Sequence, residues 1–301
     1  MNLLEITDLD EQEARRYIEQ IRWPNGPVCP HCGNTEKVYS INGKSARPGL
    51  YACGACRKQF TVMVGTVMSA SHLSCKQWLV AFHLMVSSKK GVSALQLKRE
   101  LGMSSYESAW FLAHRIRAAM EELNILGGTV EVDEAYIGGK PKPGTSKAGR
   151  GTKKTPVVAM VSREGKAETC VMEHVTQKNL REAMQTAIKP DSRIMTDDFA
   201  AYMGTRKYFT GGHRVINHSL GQYSRAGGDV TTNRAESYFA LLKRGVHGTF
   251  HHVSKHHLGR YLHEFEFRWN HRKIDDGVRC AAAIALMNQK RLTYKKLVGK
   301  P

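Results

Sequence analysis

Long apolar runs are missing from this sequence. A membrane helix needs roughly twenty apolar residues in succession, and stretches such as Ala281–Met287 fall far short of that. A secretory leader is missing too. Met1 to Tyr17 carries acids where a leader would be basic, with no apolar core behind them. The expectation is a cytoplasmic protein with no membrane partner. Acid is in short supply: 27 Asp and Glu stand against 45 Lys and Arg, a net charge of +18. Such an imbalance calls for a polyanion, and without a basic amphipathic anchor helix that polyanion is nucleic acid rather than a lipid surface. Hydrophobic residues make up 41% of the chain, enough for real cores, so wholesale disorder is excluded. A length of 301 residues suggests more than one domain.

Cysteine is sparse but patterned. Four of the seven form C-x2-C-x20-C-x2-C: Cys29, Cys32, Cys53 and Cys56. Each pair can form a tight knuckle offering two thiolates, and two knuckles give a tetrahedral zinc site. Tyr51–Cys53 and Gln59–Val64 read as short strands, so the unit is expected to be a zinc ribbon. Four thiolates leave zinc no open position, so this metal is structural and any chemistry lies elsewhere. His31 is surplus to the site. Cys75, Cys170 and Cys280 read as small buried residues.

Residues 75–125 have helical periodicity. A helix around Lys76–Val86 is followed by Val92–Leu101, then Gly102, then a longer helix over Ser104–Leu123. A short helix, a glycine turn and a basic helix form a helix-turn-helix pattern. Arg115 and Arg117, with His114, become candidates for DNA contacts.

After Gly127 and Gly128 the period changes from helix to strand. Thr129–Ile137 alternates, with Val130 and Val132 on one face and Glu131 and Asp133 on the other. Apolar runs at 156–161 and 169–175, an amphipathic helix at 177–188 and a strand at 193–196 ending on Asp197 follow. Three strands, a helix and a strand make an α/β order of the kind a ribonuclease-H-like domain has. Asp133 in the first strand and Asp197 at the end of the fourth would lie on neighbouring strands, where two carboxylates share a site only at a cost unless a cation neutralises them. Oxygen donors suit Mg2+ or Mn2+. The helix 232–244 places Asn233, Glu236, Ala240 and Lys243 on one stripe and Tyr238, Phe239, Leu241 and Leu242 on the other. It can therefore bury one face and offer an amide, a carboxylate and an ammonium from the opposite one.

These segments, EVDEAYIGGK (131–140), TDD and AY (196–202), TNRAES and ALLKRGVHGTFH (232–251) and VSKHHLGRYLHEFEFRWNHR (253–272), resemble the DDE-type bacterial insertion-sequence transposases with an N-terminal zinc ribbon. The resemblance runs from about Trp23 to Arg272. It implies a ribonuclease-H-like core holding two Mg2+ (or Mn2+) ions, hydrolytic nicking at transposon ends, and attack of the freed 3′-OH on target DNA. By matching motifs Asp133 is the first carboxylate and Asp197 the second. The third position is open between Glu236, favoured because an anion neutralises Mg2+ better, and Asn233. Lys243 matches the trailing basic residue. It implies terminal-repeat and target DNA as partners, a homodimer or larger assembly on DNA, and a place at the bacterial nucleoid. The competing reading is a domesticated, inactive zinc-ribbon DNA-binding protein.

The expected organisation is an N-terminal helix (1–24), the zinc ribbon (25–66), the helix-turn-helix-like domain (70–126), the catalytic domain (127–275) and a basic C-terminal tail (276–301). Within residues 139–154 six cations, Lys140, Lys142, Lys147, Arg150, Lys153 and Lys154, stand with no acid, an arm suited to DNA phosphates. Arg244, His247 and His251 follow the catalytic helix and are further candidates for phosphate contacts. Glu264 or Glu266 is expected to pair with Arg268 or Arg272.

Overall fold

The computed structural model describes residues 1–43, 45–138, 154–217 and 229–299. The chain divides into two compact units, one of Met1–Glu121 with Lys273–Pro301, the other of Glu122–Arg272.

The first unit opens with α1 (Leu3–Asp8) and α2 (Glu11–Arg22), each started by a capping box, Asn2 with Glu5 and Asp10 with Glu13. Three short antiparallel strands follow, β1 (Val38–Ser40), β2 (Tyr51–Cys53) and β3 (Gln59–Phe60). Trp23 meets Tyr51 and Phe60 edge-on at 5.6 and 5.9 Å and fastens this small sheet to the end of α2. Next come α3 (Cys75–Ser87), α4 (Ala94–Glu100) and α5 (Tyr106–Ala119). The Glu11 carboxylate accepts from the Cys75 and Lys76 N–H groups at 2.6 and 3.0 Å, so α2 caps α3.

The second unit contains a five-stranded sheet. Its strands are β4 (Thr129–Ile137), β5 (Thr155–Ser162), β6 (Ala167–Val171), β7 (Arg193–Asp197) and β8 (His213–Ile216), in the order β6-β5-β4-β7-β8. β4, β5 and β6 form an antiparallel meander, while β7 and β8 add parallel to β4. A meander extended by parallel strands on the far side of its first strand is the ribonuclease-H-like arrangement expected from the sequence. β8 was not foreseen. Between β6 and β7 lies α6 (Gln177–Ala187), whose Leu180, Met184 and Ala187 pack on Val130, Val132, Val158 and Met160. The opposite face carries Ala135, Ile137, Val157 and Ala159 under α7 (Asn233–Gly245) and α8 (Lys255–Asn270).

The open edge of β6 is closed by side chains of α8. Asn270 accepts from the Ala167 N–H at 2.7 Å and donates to its carbonyl at 3.0 Å, imitating a neighbouring strand. Glu266 accepts from the Thr169 N–H and hydroxyl. An edge occupied in this way cannot pair with another chain.

The segment read as a basic C-terminal tail contains α9 (Asp276–Ala285) and α10 (Tyr294–Val298). α9 packs on α3. The following residues bond to the start of the same unit, Val67 N to the Met287 carbonyl and Gln289 N to the Gly65 carbonyl.

Candidate metal-dependent active site

In the first unit the sulfurs of Cys29, Cys32, Cys53 and Cys56 lie within 4.8 Å of one another, and among the described residues no other group of three or more His, Cys, Asp or Glu ligands converges as closely. Sulfurs of opposite knuckles approach to 3.6 Å, Cys29 with Cys56 and Cys32 with Cys53. The backbone N–H of Cys56 helps bring the Cys53 thiol down to about 7. Four sulfurs so placed match the donor set of a tetrahedral cation, and this cluster is the structural zinc site.

The helical region differs from its expected role. Arg115 and Arg117 are 5% and 1% exposed, and His114 is fully buried. The Arg115 guanidinium donates to the Ser69 carbonyl and stacks on Trp78 and Phe111, and burial pushes its pKa down to about 10. These side chains hold the unit together and are not open to DNA. The reason is that α5 is enclosed beyond its first turn, packed on α4 and α3. Only its first turn, with Tyr106, Glu107 and Ser108, faces solvent.

In the second unit, β4 and β7 run parallel with Glu131 opposite Met195. Two residues further on, the same register sets Asp133 level with Asp197. α7 lies over the face of β4 that carries Asp133. Its Tyr238, Phe239 and Leu242 are buried, with Ala235 beside them and Leu241 half-buried, while Asn233, Glu236, Ala240 and Lys243 are exposed, close to the two stripes read from the sequence. Each carboxylate is oriented by a nearby donor. Glu134 N donates to Asp133 at 2.8 Å, Phe199 N to Asp197 at 3.1 Å, and the Thr232 hydroxyl to Glu236 at 3.1 Å. Burial first, then the charges of Glu134, Asp197 and Glu236, push the Asp133 carboxyl up to about 7. Carboxylate oxygens brought together in this way suit a hard divalent cation. Asp198, beside Asp197, is exposed.

Several residues that sequence reasoning did not assign surround this site. Glu131, 1% exposed, accepts from the Arg234 N–H at 2.7 Å, the Ala235 N–H at 3.4 Å, the Thr231 hydroxyl at 3.1 Å and Arg163 Nε at 3.2 Å. Arg163 also binds Asp229, which binds Arg193. Tyr202 donates to Glu134 at 2.9 Å. His213 shares a hydrogen bond with Thr196 at 2.9 Å, and burial lowers its pKa. The alternation of β4 pointed to Glu131 as a neighbour of Asp133, but no sequence signal named its partners.

Lys243 extends along Phe239, its ammonium 6.0 Å from the ring centroid. Beyond α7 the chain forms a π-helical turn, Val246–Phe250, and His251 adopts φ 57°. Lys243, Arg244, His247, His251, His252, Lys255 and His256 are all exposed around this turn. Of the arm 139–154, only Lys154 falls within the described residues. Lys140, Lys142, Lys147, Arg150 and Lys153 lie outside them.

Residues 125–270 match the model of the ISXO2-like transposase domain, and residues 9–59 that of the transposase zinc-ribbon domain. A protein of Halobacterium salinarum, described as an uncharacterized protein in transposable element ISH50, is 29% identical over 279 residues, 87% of this chain and 92% of that one. Two solved structures are distantly similar. The Mos1 strand transfer complex is 13% identical with a TM-score of 0.29, over 69% of this chain and 74% of that one. The Mos1 transposase paired-end complex with left transposon end is 12% identical with a TM-score of 0.29, over 69% and 78%.

Proposed function

From a chain that belongs to the insertion-sequence transposases joining a zinc ribbon to a DDE-type catalytic domain, we propose an active enzyme that binds the inverted repeats at transposon ends, nicks them by metal-dependent hydrolysis and joins the 3′-OH ends to target DNA. The observation that carries this reading is the Asp133 carboxyl, half-buried and raised to about 7 beside Asp197 and Glu236. A purely DNA-binding protein gains nothing from that electrostatic cost, whereas a site that takes up divalent cations requires it.

Asp133, Asp197 and Glu236 would hold Mg2+ or Mn2+, two ions per site, with Asn233 the other candidate for the third position. The cations supply Lewis acidity toward the phosphate oxygens and the attacking oxygen. Lys243 stands seven residues after Glu236 on the same stripe, about 10 Å along the helix, within reach of a phosphate beside the reacting one. Arg244, His247 and His251 continue that stripe of donors and hold the DNA backbone, joined by Lys154 and the other cations of 139–154. Holding two transposon ends together requires at least a homodimer.

The test is cleavage and strand transfer on labelled transposon-end DNA with Mg2+ or Mn2+. Wild type should cut and join. Asp133→Ala and Asp197→Ala should lose at least about 1,000-fold in cleavage while binding the ends unchanged, on the scale expected when charge stabilisation at a reacting phosphate is removed. Asn233→Ala and Glu236→Ala then decide the third ligand. A wild-type protein that binds the ends but cuts under neither metal would sink the proposal.

A further inference from the structure

The first turn of α7 lacks the cap that a helix usually draws from its own sequence. Thr232 stands at the N-cap position with no side-chain capping bond. Its hydroxyl is turned to Glu236 instead. The free N–H groups of this turn are met by Glu131, 103 residues earlier in the chain, which accepts from Arg234 N at 2.7 Å with the same oxygen that Ala235 N approaches at 3.4 Å. The other oxygen takes the Thr231 hydroxyl and Arg163 Nε. Both oxygens are thus engaged, the residue is 1% exposed, and its charge is balanced by a guanidinium and by the positive end of the helix.

Glu131 and Asp133 are two apart on one strand and so share a face. Asn233 and Glu236 sit in the turn that Glu131 holds. One carboxylate therefore joins the strand that bears the first acid to the helix that bears the third. We propose that Glu131 is a positioning residue. It does not ligate metal, but it fixes the separation of Asp133 from Asn233 and Glu236, with Arg163 locking its orientation, and so sets the affinity of the site for divalent cations. The inference rests on the reading of Asp133, Asp197 and Glu236 as cation ligands.

Two conservative variants of the full chain test it. Glu131→Asp keeps the charge but draws the carboxylate back by one methylene. Glu131→Gln keeps the length but gives up the charge. Amide hydrogen exchange over residues 232–238 reads the helix end without metal, and Mn2+ titration reads the site, both well below the melting temperature. Each variant should raise exchange in that turn at least about tenfold, leave protection in β4 and β5 unchanged, and weaken Mn2+ binding at least about tenfold, with Glu131→Asp, which keeps the charge, retaining more affinity than Glu131→Gln. Unchanged exchange in 232–238 would overturn the proposal. Faster exchange with wild-type Mn2+ affinity would also overturn it, because Glu131 would then be a helix cap and nothing more. The reading beneath it fails separately: if Asp133→Ala binds Mn2+ as wild type does, the cation site is lost and the positioning role goes with it, while the exchange result still reports the cap.

Discussion

At Asp133, burial and three neighbouring acids all resist the charge that catalysis would need. The folded chain keeps this proton up to about pH 7, whereas an ordinary aspartate releases it at 3.8. Between those values the folded state binds more protons than the unfolded one, so stability falls as pH rises from about 4 to about 7 and stays reduced above that. The upper bound on the cost is about 4 kcal/mol at ~1.4 kcal/mol per pH unit. Asp133→Asn should therefore melt higher than wild type at pH 8 in buffer free of Mg2+ and Mn2+, and the gap should close toward pH 4. Adding Mn2+ should raise the wild-type melting temperature and leave the variant where it was. Calorimetry with and without the ion checks both. At the same scale, Arg115 and Arg117 show how residue type misleads. A basic residue on a basic helix suggested phosphate, but each is enclosed, and Arg115 is held by the Ser69 carbonyl and two aromatic rings.

Among elements, α8 does two jobs. It buries Leu258, Leu262 and Phe265 against the sheet. Its Glu266 and Asn270 also occupy the edge of β6. Glu266→Ala would leave the buried Thr169 N–H without that acceptor, at about 1–3 kcal/mol. Urea unfolding should show the loss, and light scattering should show self-association through the freed edge. The pairing anticipated for α8 takes the form of Glu264 with Arg268, 2.8 Å apart and almost fully buried. Arg268→Ala should cost about 3 kcal/mol or more, because a buried carboxylate then loses its cation. Replacing both residues by Leu and Met should recover much of that, read by the same denaturation curves.

For the molecule as a whole, charge and zinc give separate tests. A net charge of +18 implies several phosphate contacts, each releasing counterions. Affinity for end DNA should fall by at least about 100-fold between ~50 and ~200 mM salt. A flat response in a filter-binding or anisotropy titration would contradict DNA recognition through the exposed cations around Lys243 to His256. Zinc acts in one compact unit only. Stripping it with a strong chelator should lower the melting of the unit that contains the four cysteines and leave the transition of residues 122–272 in place, because metal binding to such a ribbon is coupled to its folding.

Local repetition carried most of what the sequence determined. The CxxC spacing gave the zinc ligands. Alternation gave β4 with Asp133 facing away from Val130 and Val132, and the helical period gave the two stripes of α7. Each depends on residues two to four positions apart, which share a face whatever the rest of the chain does. Tertiary structure alone decided what depends on distant partners. β8 has too few apolar residues to announce itself, and it exists because β7 offers a parallel edge. The segment 276–301 reads as a tail until its helices pack into the first unit. Glu131 reads only as a neighbour of Asp133 on one face of an alternating strand, and only the return of the chain more than a hundred residues later supplies the helix end that it holds. No sequence period spans that interval, so the proposed ligands could be named from the sequence while the means of holding them in register had to be seen in space.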